Sequence, residues 1–507
     1  MCFMNPGTSE MHFVAALDAV PQMRGVLALF EGVATGAADG YARITGRPAA
    51  VLLHLGPGLA NGLSNLHNAR RASTPVLVIV GAHATGHVRY DAPLQSDIEA
   101  LARTVSGWVH TSGTTRDLSH DAMRALSAAR RGQVATLILP ADISWTDGAS
   151  PAPAPTPQDE ARWSTTVDDR QVGEVAELLS PQAMLLLGGR ALTERGLRAA
   201  SRISAATGAR LLAETFPARM ERGAGLPAVD RLAYLAEQAE EQLAGTDQLI
   251  LAGARSPVSF FAYPGQRSDL VPEACSVAVL ADKEQDVETA LDRLADLVAS
   301  GTEPVLAPRA VPGVEPGPLT AISLANTVAA SLPEYAVVAD EANTSGFALP
   351  RALTSTARHS LLTLTGGSIG QGLPVATGAA IAAPDRPVLC LEADGSALYT
   401  IQALWTQARE QLNVTTVLIN NAAYAILRME LARTAAGQAG ERAARMLDLS
   451  GPTPDFTSIS TGLGVPAVRV TTAEDLDREL RRSYAVPGPH LIEAIVPPVI
   501  PAPGTAW

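Results

Sequence analysis

The stretch 387–421, PVLCLEADGSALYTIQALWTQAREQLNVTTVLINN, decides the fold. An apolar run ends at Asp394, a helical pattern follows, and a second apolar run ends at Asn420-Asn421. Asp394 and Asn421 stand 27 residues apart, about one strand–helix–strand unit. Neither run alternates polar with apolar, so both read as parallel strands buried on two faces. Adjacent parallel strands bring their carboxyl ends to one sheet edge. The spacing therefore predicts Asp394 and Asn421 side by side. A carboxylate and an amide oxygen are hard ligands suited to Mg²⁺ or Ca²⁺. Gly395 admits a close backbone approach, and Ser396 opens the next helix, whose N-terminus favours a phosphate. The alternative for each motif alone is structural, with Asp394 as a helix cap and the Asn pair as a turn.

The same alternation extends in both directions. Upstream runs at 24–30, 49–55, 75–81 and 134–140 read as strands, with helical stretches at 32–44 and 60–72 among them. A second group falls at 183–189, 209–215, 247–253 and 275–281, and a third at 335–341, 387–395, 414–421 and 489–497. Two Pro-rich stretches, 148–160 and 303–319, read as linkers. The expected architecture is α/β, with three doubly wound parallel-sheet domains at 1–147, 165–302 and 319–500. Ligands in such sheets sit at the carboxyl ends of the strands.

The bulk composition removes several function classes. With 47% hydrophobic and 18% charged residues, the chain can bury large cores. A net charge of −13 argues against nucleic acid or an anionic membrane surface as a partner. No apolar run approaches the ~18 residues of a membrane span. The N-terminus has no signal-peptide pattern, so the cytoplasm is the simplest compartment. The cysteines, Cys2, Cys275 and Cys390, are far apart and form no CxxC pair, so neither a disulfide framework nor a zinc site is expected. Cys390, inside an apolar run, reads as a small core residue. Two Gly-rich stretches, GPGLANG (56–62) and GGSIGQG (366–372), lack the GxGxxG spacing and following acid of a dinucleotide site.

One acid is oddly placed. In LALFEGVATGAADGYAR (27–43), Glu31 lies between an apolar run and a Gly/Ala-rich helical stretch. Burial there raises the pKa of a carboxyl group and prepares it to hold a proton. The alternative is an ordinary acid capping the helix 32–44.

Taken together, these motifs resemble the enzymes that use thiamine diphosphate to cleave or join bonds at 2-oxo acids. That family carries Gly-Asp-Gly, about 25 residues, then Asn-Asn; here the first Gly is Ala393. The resemblance spans the chain and implies pyrimidine-binding, central and diphosphate-binding domains in that order. It implies Mg²⁺ on Asp394, Asn421 and the carbonyl of Ala423, with Gly395 and Ser396 at the diphosphate. ADEANTSGF (339–347) matches the diphosphate-holding segment, making Asn343 and Thr344 candidates. In LTGGSIGQGLPVATGAA (364–380), Ile369 matches the residue that bends the cofactor, and the Gly367 carbonyl matches the acceptor for its aminopyrimidine. Glu31 matches the glutamate that donates a hydrogen bond to the pyrimidine ring. Small residues after Glu31 would then let a partner subunit approach. Because the cofactor bridges two chains in this family, a dimer at least is expected, and a homotetramer fits the family habit.

The resemblance also bears on the substrate. His54 lies 23 residues after Glu31, as in benzoylformate decarboxylase, and would relay protons. NPGTSEMHF (5–13) looks like the start of that enzyme, with Thr8 at its substrate-binding Ser. The second His expected in the central domain is missing from PVSFFAYPG (257–265). The neighbouring His pair of pyruvate decarboxylases is missing too, with His87 and Arg89 in GHVRYDAP (86–93) instead, and Leu427 stands where they carry an acid, so a dedicated pyruvate decarboxylase is not expected. The implied reaction is decarboxylation of a small 2-oxo acid to an enamine, which is then protonated or ligated. The alternative is the catalytic subunit of acetolactate (acetohydroxyacid) synthase, although no FAD-binding pattern is evident in the central domain. A degenerate, non-catalytic homologue is the remaining alternative. The family places about 20 further residues, including a covering helix, before the first strand. The sequence therefore raises the expectation of an upstream start, or of an uncovered sheet face and poor solubility.

Overall fold

The computed structural model describes residues 1–153, 165–263, 265–434 and 440–499; part of the expected linker, 154–160, and residue 500 fall outside them. The first sheet contains β1 (Cys2–Met4), β2 (Gly25–Leu27), β3 (Ala49–Leu53), β4 (Val76–Ala82), β5 (Trp108–Thr111) and β6 (Val134–Pro140). Its order is β2-β1-β3-β4-β6-β5, and every pairing is parallel. The second sheet holds β7 (Ala183–Leu187), β8 (Arg210–Ala213), β10 (Gln248–Ala252) and β11 (Ser276–Ala281) in the order β11-β10-β7-β8, also parallel.

The third sheet is built on β12 (Ala336–Glu341), β13 (His359–Thr363), β14 (Val388–Ala393), β15 (Val414–Asn420), β16 (Ala467–Val470) and β17 (His490–Ile495). Its order is β16-β17-β15-β14-β12-β13-β9, where β9 (Met220–Arg222) pairs antiparallel with β13. The expected three α/β units are therefore present, with one strand of the middle segment lent to the third sheet. All residues of β3, β7, β13 and β15 are buried, which explains the unbroken apolar runs of β3 and β7.

The Gly/Ala stretch after Glu31 forms the helix Glu31–Thr45. It packs on the helix Gly372–Ala382 of the same chain, and both contribute to one hydrophobic core. A Cβ on Gly36 would lie 2.6 Å from Pro374, and one on Gly40 or Gly378 would strike facing backbone. These small residues are thus spent on joining the first and third domains within the chain.

One expectation changes. The face of the first sheet carrying Cys2, Met4, Ala50 and Leu52 is covered by Phe13, Val14 and Leu17, from the helix Met11–Ala16 and the turn after it. The apolar face is therefore closed by a segment just after β1.

Candidate active site

The register places Ala393 opposite Ile419, so β14 and β15 end together as the spacing predicts. Asp394 is buried. Its Oδ1 accepts from the Gly395 N–H (2.8 Å), and its Oδ2 accepts from the N–H groups of Asn421 (3.2 Å) and Ala422 (2.7 Å). Burial pushes its pKa up against the pull of these donors. No Lys, Arg or His pairs with it among the described residues. Asn421 is also buried; its Nδ2 donates to Ser345 Oγ (3.1 Å) and its Oδ1 accepts from the Ala423 N–H (3.0 Å). Ala422, at φ +52°, turns the chain in the left-handed region between the two.

A buried carboxylate without a counter-ion, bonded to the backbone of the turn that carries an amide oxygen, is a donor set that fits a hard divalent cation. Asp394 Oδ1 and Asn421 Oδ1 each accept a single N–H bond and so keep a lone pair to spare. No three His, Cys, Asp or Glu side chains cluster as a metal site among the described residues, so this mixed set is the candidate.

The rim of this edge joins the other predicted residues. Asn343, itself at φ +49°, donates from Nδ2 to Ser396 Oγ (2.9 Å), and Thr344 is buried beside it. A Cβ on Gly395 would lie 2.5 Å from the Tyr424 ring, so this position needs glycine. The helix begins at Asp394 rather than at Ser396 and runs only to Thr400. Ala393 caps it without a side-chain bond, at φ −78°, a conformation that costs alanine nothing. Asp394 is therefore not the helix cap of the structural alternative.

The Gly-rich loop ahead of Gly372–Ala382 hangs from an acid that sequence reasoning missed. Glu341, at the end of β12, accepts from the N–H groups of Gly370 (2.7 Å), Gln371 (2.7 Å) and Gly372 (2.5 Å). Burial outweighs those three bonds and pushes its pKa up to about 7. Opposite it on β14 stands Glu392, fully buried, with Oε1 unpartnered and Oε2 3.7 Å from Cys390 Sγ. Burial, reinforced by Glu341, raises Glu392 well above the carboxylate range. Gly367 adopts φ +72°, which glycine permits. Ile369 is half-buried, and Phe260 of the central domain stands against Gly367.

At the first sheet's edge, Glu31 is the first residue of its helix and is half-buried. Its Oε2 accepts from Asn61 Nδ2 (3.0 Å), and the helix cap, Phe30, makes no side-chain bond. His54 caps the next helix, Leu55–Ala72, from the end of β3. Its Nδ1 is 2.8 Å from Oε2 of the buried Glu10, which also accepts from the Gly7 N–H (2.9 Å). A Cβ on Gly58 would be 3.3 Å from both Glu31 Oε1 and His54 Cβ, so this glycine separates the two groups. Thr8 is exposed, two residues from Glu10.

Two candidates stand apart. The ring contacts of His87 are His83 (5.2 Å) and Tyr90 (5.8 Å). Leu427 is exposed on the helix Ala425–Arg433 of the third domain. Glu10 and Asn61 were missed because their partners lie 44 and 30 residues away. Only the position of Glu10 in NPGTSEMHF hinted at it.

Residues 1–102 match the thiamine pyrophosphate enzyme N-terminal TPP binding domain, and residues 344–494 match the C-terminal TPP binding domain. The chain is 60% identical over 504 residues to IlvX of Mycobacterium tuberculosis, which carries the provisional name of an acetolactate synthase large subunit. That match covers 99% of this chain and 96% of IlvX. The chain belongs to the thiamine pyrophosphate enzyme family.

This thiamine pyrophosphate enzyme is also 28% identical to benzoylformate decarboxylase of Pseudomonas aeruginosa, over 97% of the chain and 95% of that protein. Its fold matches the thiamine diphosphate-dependent 4-hydroxybenzoylformate decarboxylase of Rhodococcus jostii RHA1, with a TM-score of 0.84 at 24% identity. That match covers 99% of this chain and 97% of the other. No helix among the described residues is long and apolar enough to cross a membrane.

Proposed function

We propose that this enzyme uses thiamine diphosphate and Mg²⁺ to decarboxylate a small 2-oxo acid, as benzoylformate decarboxylase does, with protonation or carboligation completing the turnover. The observation that carries this reading is His54, tied through Nδ1 to buried Glu10 and one glycine from Glu31. Asp394, Asn421 and the Ala423 carbonyl would hold the metal, with Asn343, Thr344, Gly395 and Ser396 around the diphosphate. The Gly367 carbonyl and Ile369 would position the aminopyrimidine. When bound, the cofactor supplies the electron sink for loss of CO₂.

The chain's own groups divide the proton work. Glu31 holds a proton for the pyrimidine nitrogen, with Asn61 fixing its carboxylate. Glu10 accepts from Nδ1–H of His54 and so leaves Nε2 as the nitrogen that exchanges a proton with substrate. Thr8 stands at the same edge for the substrate carboxylate. The cofactor would lie between two chains of a homodimer or homotetramer in the cytoplasm. The 60% identity to IlvX supports acetolactate synthase chemistry as a second reading.

The test is a panel of pyruvate, 2-oxobutyrate, benzoylformate and branched-chain 2-oxo acids with thiamine diphosphate and Mg²⁺, following CO₂, aldehyde and ligation products. Aldehyde from benzoylformate supports the first reading, and acetolactate from pyruvate supports the second. Absence of CO₂ from every acid overturns both.

A further inference from the structure

Loop 364–370 of the third domain is gripped by the helix Leu55–Ala72 of the first. The His67 ring lies 3.2 Å from the Gly366 carbonyl, Asn65 Nδ2 donates to the Gly370 carbonyl (3.2 Å), and Thr365 Oγ1 donates to the Asn68 carbonyl (2.8 Å). The fully buried Asn68 side chain does more. Its Nδ2 donates to the Ser368 carbonyl (2.8 Å) and its Oδ1 accepts from the Ser368 N–H (3.2 Å), while Nδ2 also reaches Asn65 Oδ1 (2.9 Å). The amide thus pairs with Ser368 as a neighbouring strand would.

Three of the loop's carbonyls, those of Gly366, Ser368 and Gly370, are engaged. The Gly367 carbonyl has no hydrogen-bond partner among the described residues. That carbonyl shares a planar trans peptide unit with the Ser368 N–H, and in such a unit the two bonds point in opposite directions. Anchoring the N–H on Asn68 therefore directs the Gly367 carbonyl away from the first-domain helix. The backbone must pass through φ +72° at Gly367 to do this. A Cβ on Gly366 would fall on Asn68 Oδ1, so the clamp also requires glycine there.

We infer that Asn68 is a positioning residue that sets the direction of the Gly367 carbonyl for the aminopyrimidine. This rests on reading Gly367 as the acceptor at the proposed cofactor site. Asn68 touches neither cofactor nor substrate; it acts through the 367–368 peptide.

The test compares Asn68→Ala and Asn68→Asp with Thr365→Val, which removes a different tie between the same two elements together with the bond from Arg43 Nη2. Asn68→Asp keeps the acceptor for the Ser368 N–H. Asn68→Ser replaces Asn68→Ala if the latter does not fold. Without cofactor, the Ser368 amide should exchange hydrogen at least about tenfold faster in Asn68→Ala than in wild type or Thr365→Val. With thiamine diphosphate and Mg²⁺, the dissociation constant for the cofactor should rise at least about tenfold in Asn68→Ala. It should rise likewise in Asn68→Asp, whose second carboxylate oxygen would face the Ser368 carbonyl and Asn65 Oδ1, and stay within about threefold of wild type in Thr365→Val.

Unchanged Ser368 exchange in Asn68→Ala overturns the clamp. Faster exchange with unchanged cofactor affinity overturns its positioning role, as do equal losses in Asn68→Ala and Thr365→Val. Failure of the wild-type enzyme to bind thiamine diphosphate overturns the cofactor-site reading and the positioning role with it, while the exchange result without cofactor still judges the clamp.

Discussion

Replacing Glu392 with Gln should stabilise this enzyme, and the gain should grow with pH. Glu392 is fully buried at the middle of the third sheet, and Glu341 and Asp340 both disfavour its charge. Its folded pKa lies well above the ordinary 4.5. A group whose folded pKa is raised contributes stability that is complete below its unfolded pKa and is lost as pH rises toward the folded one. Each pH unit between the ordinary carboxylate pKa and the raised folded one removes about 1.4 kcal/mol of stability. A Gln of nearly equal volume removes this term. Its amide can still accept the Leu373 N–H that now reaches Glu392. In that window each pH unit should widen the gap between variant and wild type by roughly 3–6 °C for a domain of this size, less the cost of imperfect amide pairing. Thermal unfolding of wild type and Glu392→Gln without cofactor, at pH 5 and pH 7.5, reads the difference directly. The melting temperatures should nearly coincide at pH 5 and separate at pH 7.5, with the variant higher. A gap of the same size at both pH values, or a variant that melts lower at pH 7.5, refutes the reasoning.

Gly40→Ala should lower the melting temperature by an amount equivalent to about 2–4 kcal/mol, because its Cβ would fall on the Val375 backbone; Gly86→Ala, with open space around it, should leave the melting temperature within a degree or so. Glu10→Gln should lower kcat by about 10–100-fold with KM nearly unchanged and should displace the pH–rate profile, since it weakens the bond that fixes the His54 tautomer. A profile that keeps its shape would remove His54 from the proton path. Asp394→Asn should weaken Mg²⁺-dependent cofactor binding by at least about 100-fold, close to 3 kcal/mol, measured by titration calorimetry. Binding that remains as tight as wild type would place the metal elsewhere.

Much of the architecture was legible because parallel strands buried on both faces leave unbroken apolar runs. Each of the twelve runs read as a strand contains one, although 24–30 yields only the three residues of β2. The strands that escaped are short, depend on a distant partner or, like β13 with His359, Ser360 and Thr363, carry polar residues that break the apolar run. β9 is three residues long and exists because β13, far along the chain, offers an edge. The edge pairing of Asp394 with Asn421 was legible because the intervening distance is set by one crossover. The Glu10–His54 bond and the three N–H bonds to Glu341 were not, because side chains 29 or more residues apart carry no periodic signal. The Gly/Ala pattern after Glu31 announced a close contact, which the family resemblance referred to a partner subunit. The structure assigns that surface to Gly372–Ala382 of the same chain.

That assignment changes what the first domain is for. The helix Leu55–Ala72 meets Glu31 near its start, through Gly58 and Asn61. Further along, through Asn65, His67 and Asn68, it meets the loop that carries Gly367 and Ile369. The neighbouring helix Glu31–Thr45 does the same with different groups. It begins at the acid and ends with the buried Asp39–Arg43 pair, where Arg43 Nη1 donates to the Thr363 carbonyl (2.9 Å) and Asp39 accepts from Gln371 Nε2 (2.7 Å). A buried ion pair is a poor source of net stability, but it is costly to break and so holds one geometry. Two helices therefore link the acid end of the first domain to the Gly-rich loop of the third by short, buried polar bonds. If the cofactor lies between chains as proposed, the acid and the loop of one chain serve different cofactors. The in-chain contacts then fix each half-site before any partner arrives, which leaves subunit association only the task of bringing finished halves together.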